Sequence, residues 1–325
     1  MANRSYALGI EIGGSTLRMG LVDGSGKIRH SARTPSCHLR DQGHAVELLL
    51  ADVEGFLIDA DAELSDCAGI GIAAAGLVDN EKRAMVLASN LGWRDLEIGG
   101  PIEDLTQIPT IVDKDTNMAA LGELNAGAGR GLDSFIYASI GTGVGGCVIS
   151  GGQVLRGIGN RAGEFGHLYA GGSEICGCGS CGCLETLAGG AWLARHAKEA
   201  ILDGAGSVMT ELANGNVEEI SARTVVEAAD DGDALAMEIL ARAADAVGVG
   251  LINAIRMIYP QAVILGGTVG SVRKFVFEPV KKFVESSSIL PGTNLPPVQV
   301  LHAGLGDSAA IIGAALEVMA SKVLP

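Results

Sequence analysis

The chain opens on an apolar run from Tyr6 that stops at a Gly-Gly-Ser-Thr turn over 13–16. A second run, an Asp-Gly turn at 23–24 and a third run carry it to Ile28. Short apolar runs bounded by glycine read as strands joined by tight turns, so residues 6–28 predict a β-meander. The same plan returns at 135–155, FIYASIGTGVGGCVISGGQVL, as strand, Gly-Thr-Gly turn, strand, Gly-Gly turn and strand. Order and spacing match over some twenty residues, which is read as an internal duplication and not as coincidence in a glycine-rich chain.

Each meander is followed by helix-patterned sequence and further strands. After the first come a helix near 43–62, a buried strand at Gly69–Ala74 and a strand at Thr110–Val112. After the second come helices near 187–203, 222–230 and 233–257, then a buried strand at Ala262–Leu265 running into Gly266-Gly267. A strand at Val298–Leu301 leads to a final small-residue helix from about Ser308 to Met319. Meanders plus alternating α and β elements predict two α/β domains with mixed sheets, 1–113 and 114–305, and a functional cleft between them. The last helix, within 306–325, is expected to complete the first domain.

Composition narrows the function. Hydrophobic content of 48% with 19% charge is that of a globular protein. Aromatics at 4% argue against a base-stacking surface. A net charge of −15 with no dense basic patch argues against nucleic acid or an anionic membrane as partner. The uncharged stretch Ser134–Leu155 holds six glycines and reads as short strands, not as a membrane helix. The apolar stretch before Glu11 is too short for a signal peptide, which points to the cytoplasm. Four of the seven cysteines fall within 176–183, as in a metal site kept in a reducing compartment.

Two glycine-rich turns, one per domain, suit a polyphosphate: glycine lets backbone N–H groups approach phosphate oxygens, and Ser15 and Thr142 add hydroxyls. Either turn alone is only a tight hairpin. No Walker-type phosphate loop occurs. Leu265-Gly266-Gly267-Thr268 ends a buried strand in glycines, and either lies against an adenine ring or simply turns the chain. Asp115, at a strand end and a helix start, is either a helix cap or a general base. Cys176, Cys178, Cys181 and Cys183 with His167 supply five ligands for a tetrahedral zinc, one more than it needs.

These residues resemble the ROK family (repressors, open reading frames and sugar kinases) over essentially the whole chain, and look most like its glucokinases. The matching pieces are EIGGSTLRMGLVD, GIAAAGLVD, SNLGW, DKDTNMAALGE, SIGTGVGG, GEFGH, CGCGSCGCLE, ILGG and LGDSAAIIGAA. The resemblance implies two duplicated ribonuclease H-like domains of the actin and hexokinase type. It also implies ATP with Mg²⁺, a structural zinc, a small sugar or polyol substrate, and a homo-oligomer, dimer or tetramer. By position, Asp115 matches the catalytic base. Asn90, Glu164, His167 and Glu185 match the sugar-holding residues, and His167, Cys176, Cys178 and Cys183 match the zinc ligands, leaving Cys181 spare. Gly13, Gly14 and Ser15, and Gly141, Thr142 and Gly143, match the phosphate turns; Gly266-Gly267 matches the adenosine contact.

Four positions depart from the family pattern. Glu11 replaces the aspartate that faces the metal-nucleotide, Ser15 a threonine, Thr16 a frequent lysine, and Lys114 an asparagine that binds sugar hydroxyls beside the base. A three-donor cation is no substitute for an amide, so a cyclitol or amino sugar competes with a hexose as the substrate. The same motifs would also serve a polyphosphate-using kinase or a non-catalytic sugar-sensing regulator. Family repressors carry a DNA-binding module before the first strand; here that strand begins by about Tyr6, which favours the kinase.

Overall fold

The computed structural model describes residues 6–289, 292 and 294–321. Its first unit comprises Met1–Gly131, Gly152–Ala162 and Gly304–Pro325; residues 322–325 of the expected closing helix lie outside the described residues. The opening meander is β1 (Tyr6–Ile12), β2 (Thr16–Asp23) and β3 (Ile28–Pro35). β1 is buried almost throughout, whereas β3 alternates half-buried and exposed positions, the mark of an edge strand. After α1 (Ala45–Asp59), β4 (Cys67–Ala74) lies parallel beside β1.

Three short strands, β5 (Leu77–Asp79), β6 (Ala84–Ala88) and β7 (Trp93–Glu97), form a small antiparallel sheet of their own, followed by α2 (Gly99–Thr106). Trp93 anchors this sheet: its buried indole N–H donates to the Leu39 carbonyl at 2.7 Å. β8 (Thr110–Lys114) then pairs in parallel with β4, giving the order β3-β2-β1-β4-β8. The sequence-based boundary at 113 falls inside β8, and the chain stays in the first unit through α3 (Asp115–Ala126) to Gly131.

The second unit comprises Leu132–Gly151 and Gly163–Ala303. It opens on β9 (Phe135–Ile140) and β10 (Val144–Ser150). The two-residue β11 (Gln153–Val154) follows a Gly151-Gly152 turn whose φ values, 60° and 68°, are those a tight hairpin demands. Next come α4 (Leu184–Ala188), α5 (Gly190–Leu202), α6 (Met209–Leu212), α7 (Ala222–Asp230) and α8 (Ala234–Ile258). The last two are capped by side chains, α7 by a Ser221–Thr224 capping box and α8 by Asp233. β12 (Ala262–Gly266), α9 (Glu278–Ser287) and β13 (Gln299–His302) complete the unit. β11 falls in the segment Gly152–Ala162 of the first unit, and the second unit's own strands run in the order β10-β9-β12-β13. In both sheets the first two strands of the meander are antiparallel and the later strands join in parallel, so the duplication read from the sequence is a duplication of topology.

The last helix, α10 (Ala309–Ala320), belongs to the first unit and packs on β1, β4 and α3. Backbone meets backbone there. A Cβ on Gly9 would strike the Ile311 carbonyl, one on Gly71 the Ala314 carbonyl, and one on Gly122 the Ala309 carbonyl; from α10 itself, a Cβ on Gly313 would strike the Met118 carbonyl. The small-residue sequence of α10 is the other half of that fit. Glu123, with no exposed surface, ties the ends of this layer together, accepting N–H bonds from Ala128 (2.7 Å), Gly304 (3.0 Å) and Leu305 (2.9 Å). Among the described residues no helix is long and apolar enough to cross a membrane.

Gly71→Ala is therefore expected to destabilise the protein by about 3 kcal/mol, the upper end for overpacking a core. Gly55→Ala, where a Cβ on exposed α1 meets nothing, should leave stability unchanged or slightly raised. Thermal melts of the two variants beside wild type check this; equal melting temperatures would contradict the close packing of α10.

Candidate functional site

In the first unit, the turn between β1 and β2 is closed by Gly13 N–H donating to the Thr16 carbonyl at 2.9 Å. Ser36, fully buried, braces it twice: its hydroxyl donates to the Gly13 carbonyl (2.9 Å) and its N–H to the Ser15 carbonyl (3.2 Å). A trans peptide points its N–H opposite to its C=O. Pinning those two carbonyls toward Ser36 therefore turns the N–H groups of Gly14 and Thr16 the other way. Asn90 lies against this turn, since a Cβ on Gly14 would come within 2.5 Å of the Asn90 Cβ. Two residues singled out separately in the sequence, Gly14 and Asn90, are thus brought together.

Glu11, at the end of β1, is half-buried. Arg18 Nη1 donates to its Oε2 at 3.0 Å, and Arg18 Nη2 reaches Asp307 at 3.2 Å. Burial pushes the Glu11 carboxyl above its ordinary range, and the Arg18 charge opposes that rise. Neither Arg18 nor Asp307 was expected from the sequence, although both lie in matching pieces of the chain, EIGGSTLRMGLVD and LGDSAAIIGAA.

Asp115 is the first residue of α3 and is half-buried; its Oδ1 accepts from the Thr116 N–H at 2.7 Å. Beside it lies a polar network that the sequence did not announce. Asp113, 2% exposed, accepts from the Lys114 N–H (2.7 Å), Asn117 (2.9 Å), Asn160 (2.7 Å) and Arg156 (2.9 Å). Asn117 also donates to Asn160 Oδ1 at 3.0 Å. A buried carboxylate with four donors is satisfied, and it fixes the strand-to-helix corner from which Asp115 projects. Lys114 is 4% exposed, and its Nζ donates to the Ala162 carbonyl at 2.7 Å. The structure thus gives this ammonium a protein acceptor.

The second unit repeats the turn design. Gly141 N–H donates to the Gly143 carbonyl (2.9 Å), while Gly190 and Ala191, opening α5, donate to the carbonyls of Gly141 (2.8 Å) and Thr142 (3.0 Å). The N–H groups of Thr142 and Gly143 accordingly turn away from α5. Glu185 Oε2 accepts from the Val144 N–H at 2.9 Å and fills the space a Cβ on Gly143 would need. At the end of the neighbouring strand β12, Gly267 has φ +84° and lies on the Ile140 backbone. The N–H groups of Val269 and Gly270 both donate to the Ile140 carbonyl, at 2.9 and 3.1 Å. Gly266-Gly267 and Gly141–Gly143 are therefore adjacent, at the carboxyl ends of two parallel strands, where open α/β sheets bind their ligands.

Glu164, half-buried, precedes a short helical turn that carries His167. The ligand atoms of His167, Cys176, Cys178 and Cys183 all lie within 4.8 Å of one another. His167 Nδ1 is 3.7 Å from Cys176 Sγ, and the Cys178 and Cys183 sulfurs are 3.6 Å apart. A tetrahedron with zinc–sulfur bonds of about 2.3 Å has edges of about 3.7 Å, so the donor set and its spacing fit zinc. Burial pushes the Cys183 thiol up to about 12, while hydrogen bonds from Ser180 pull Cys178 down to about 7; a bound cation offsets the cost of the buried thiolate. Cys181 is exposed, with its sulfur 3.8 Å from the Gly172 carbonyl, and lies outside the cluster.

The sequence model of the ROK family matches residues 7–320. A glucokinase of Halalkalibacterium halodurans is 32% identical over 316 residues, covering 96% of this chain and 94% of that protein. The crystal structure of a ROK family glucokinase from Streptomyces griseus, in complex with glucose and AMPPNP, superposes with a TM-score of 0.82 at 33% identity, covering 95% of this chain and 98% of that one. The xylose repressor of Bacillus subtilis is 26% identical over 311 residues, 95% of this chain and 75% of the repressor. The match to the family model over residues 7–320 shows that the chain belongs to the ROK family.

Proposed function

We propose that the chain is an ATP-dependent sugar kinase, glucokinase-like, that transfers the γ-phosphoryl group to a primary hydroxyl of a hexose. The observation that carries this reading is Asp115, a half-buried carboxylate at a strand-to-helix corner that a buried network holds in place. The two glycine turns support it, because pinned carbonyls leave N–H groups directed outward as donors for phosphate oxygens. So does the likeness to the Streptomyces griseus glucokinase with its bound glucose and AMPPNP.

Phosphoryl transfer has a loose transition state, so the protein's task is to place the reactants and neutralise charge. Asp115 accepts the hydroxyl proton; a carboxylate is a weak base for an alcohol, so transfer comes late. Asn90, Glu164, His167 and Glu185 are assigned to the sugar hydroxyls, and Gly266-Gly267 to the adenosine. Glu11, already sharing one oxygen with Arg18, is the carboxylate assigned to hold Mg²⁺, which would supply positive charge to the phosphates when bound.

Zinc in this reading is structural. Ligation through His167 Nδ1 leaves Nε2 to meet a sugar hydroxyl, and the ion fixes the loop that carries it. A second reading, a sugar-binding regulator without transferase activity, draws on the likeness to the xylose repressor and on Lys114, whose ammonium is engaged by Ala162.

A coupled ADP-release assay with hexoses, amino sugars and cyclitols, with ATP or polyphosphate as donor, is expected to show turnover with ATP and a hexose. Sugar binding without ADP release from any acceptor would replace the kinase by the regulator. Asp115→Asn should lower kcat by about 10²- to 10⁴-fold while sugar still binds; near-normal turnover would remove Asp115 from the chemistry. Cys178→Ser should lose its zinc, measured by elemental analysis, and raise the KM for sugar by about tenfold or more. Unchanged kinetics in the zinc-free protein would leave the ion without the assigned role.

A further inference from the structure

Cys183 is both a member of the four-residue cluster and the residue from which α4 starts. α4 is five residues long and passes through Gly189 directly into α5. Three hydrogen bonds run from this short stretch to one place, the turn between β9 and β10. Glu185 accepts from the Val144 N–H (2.9 Å), Gly190 donates to the Gly141 carbonyl (2.8 Å), and Ala191 donates to the Thr142 carbonyl (3.0 Å). Three successive peptide units of the turn are thereby held. The unit joining Gly143 to Val144 is clamped at both ends, its carbonyl by the Gly141 N–H and its N–H by Glu185. The other oxygen of Glu185 lies 4.0 Å from Cys176 Sγ, so this side chain spans from the cluster to the turn.

We infer that Glu185 is a positioning residue that joins the Cys₃-His cluster to the phosphate turn, so that zinc occupancy sets the affinity for nucleotide. The inference rests on the reading of the Gly141–Gly143 turn as a phosphate turn, and it gives Glu185 a task separate from any contact with sugar. Without the ion, Cys183 is released at the start of α4. The stretch 184–191 then loses the anchor that lets it hold the turn in one conformation. A charge-assisted hydrogen bond to a backbone N–H is among the stronger contacts a protein makes, and Glu185 is the sole carboxylate in this set of three bonds.

The test measures AMPPNP binding by calorimetry with no sugar present, alongside zinc content. Wild type, Glu185→Ala, Glu185→Gln, Cys178→Ser and the double variant Cys178→Ser/Glu185→Ala are compared. Glu185→Ala is expected to keep one zinc per chain and to weaken AMPPNP about tenfold, with Glu185→Gln intermediate. Cys178→Ser should lose zinc and weaken AMPPNP to a similar degree. The double variant should be no weaker than the weaker single one, because the two changes break one linkage. If a variant unfolds, Gly143→Ala, which displaces the Glu185 carboxylate by the bulk of one methyl group, takes its place and should give the same loss. Unchanged AMPPNP affinity in Glu185→Ala, or losses that multiply in the double variant, overturns the linkage. Wild type that binds no AMPPNP would instead sink the kinase reading.

Discussion

A peptide group has two ends, and fixing one fixes the other. In both glycine turns the carbonyl ends are bound to the scaffold, by Ser36 in the first unit and by Gly190 and Ala191 in the second. The donors of the same peptide planes are thereby aimed outward. Glycine is required at these turns because the scaffold comes so close: the Asn90 side chain covers Gly14, and the Glu185 carboxylate covers Gly143. The chain's net charge of −15 makes such local donors matter, since nothing in the overall field attracts a polyanion.

The two units use one topology for different ends. In the first, the strand-to-helix corner at β8 and α3 carries a carboxylate held by a network of amides and an arginine. In the second, the loop after the meander carries the cysteine cluster and leads to the Glu185 brace. Duplication supplied the frame; the departures from symmetry lie in the insertions that follow each meander, β5 to β7 in the first unit and the 164–185 loop in the second.

Much of this was legible in the sequence where the signal is local. Both meanders, the helices at 222–230 and 234–258 and the buried strands at 67–74 and 262–266 follow from hydrophobic period and from glycine placement. The cysteine cluster could be read from spacing as five candidate ligands, and the family resemblance pointed to Cys181 as the spare one, which lies outside the cluster. What escaped was held by partners distant in the chain. Strands of three to five residues such as β5 to β7 carry almost no periodic signal, and their anchor is a Trp93–Leu39 bond. That α3 belongs with the first unit depends on α10, some 180 residues further on, seated against Gly122. The bond from Lys114 to Ala162 likewise spans 48 residues and has no local signal.

The glycine contacts of α10 also bear on the order in which the molecule assembles. β1 and β4 are among the first strands made, yet the face they present at Gly9 and Gly71 is shaped for a helix spanning residues 309–320. A ribosome has therefore translated the more than two hundred residues between β4 and α10 before these strands receive that cover. Until then the surface around Gly9 and Gly71 lacks its helix, and transiently exposed apolar surface of this kind is prone to aggregation.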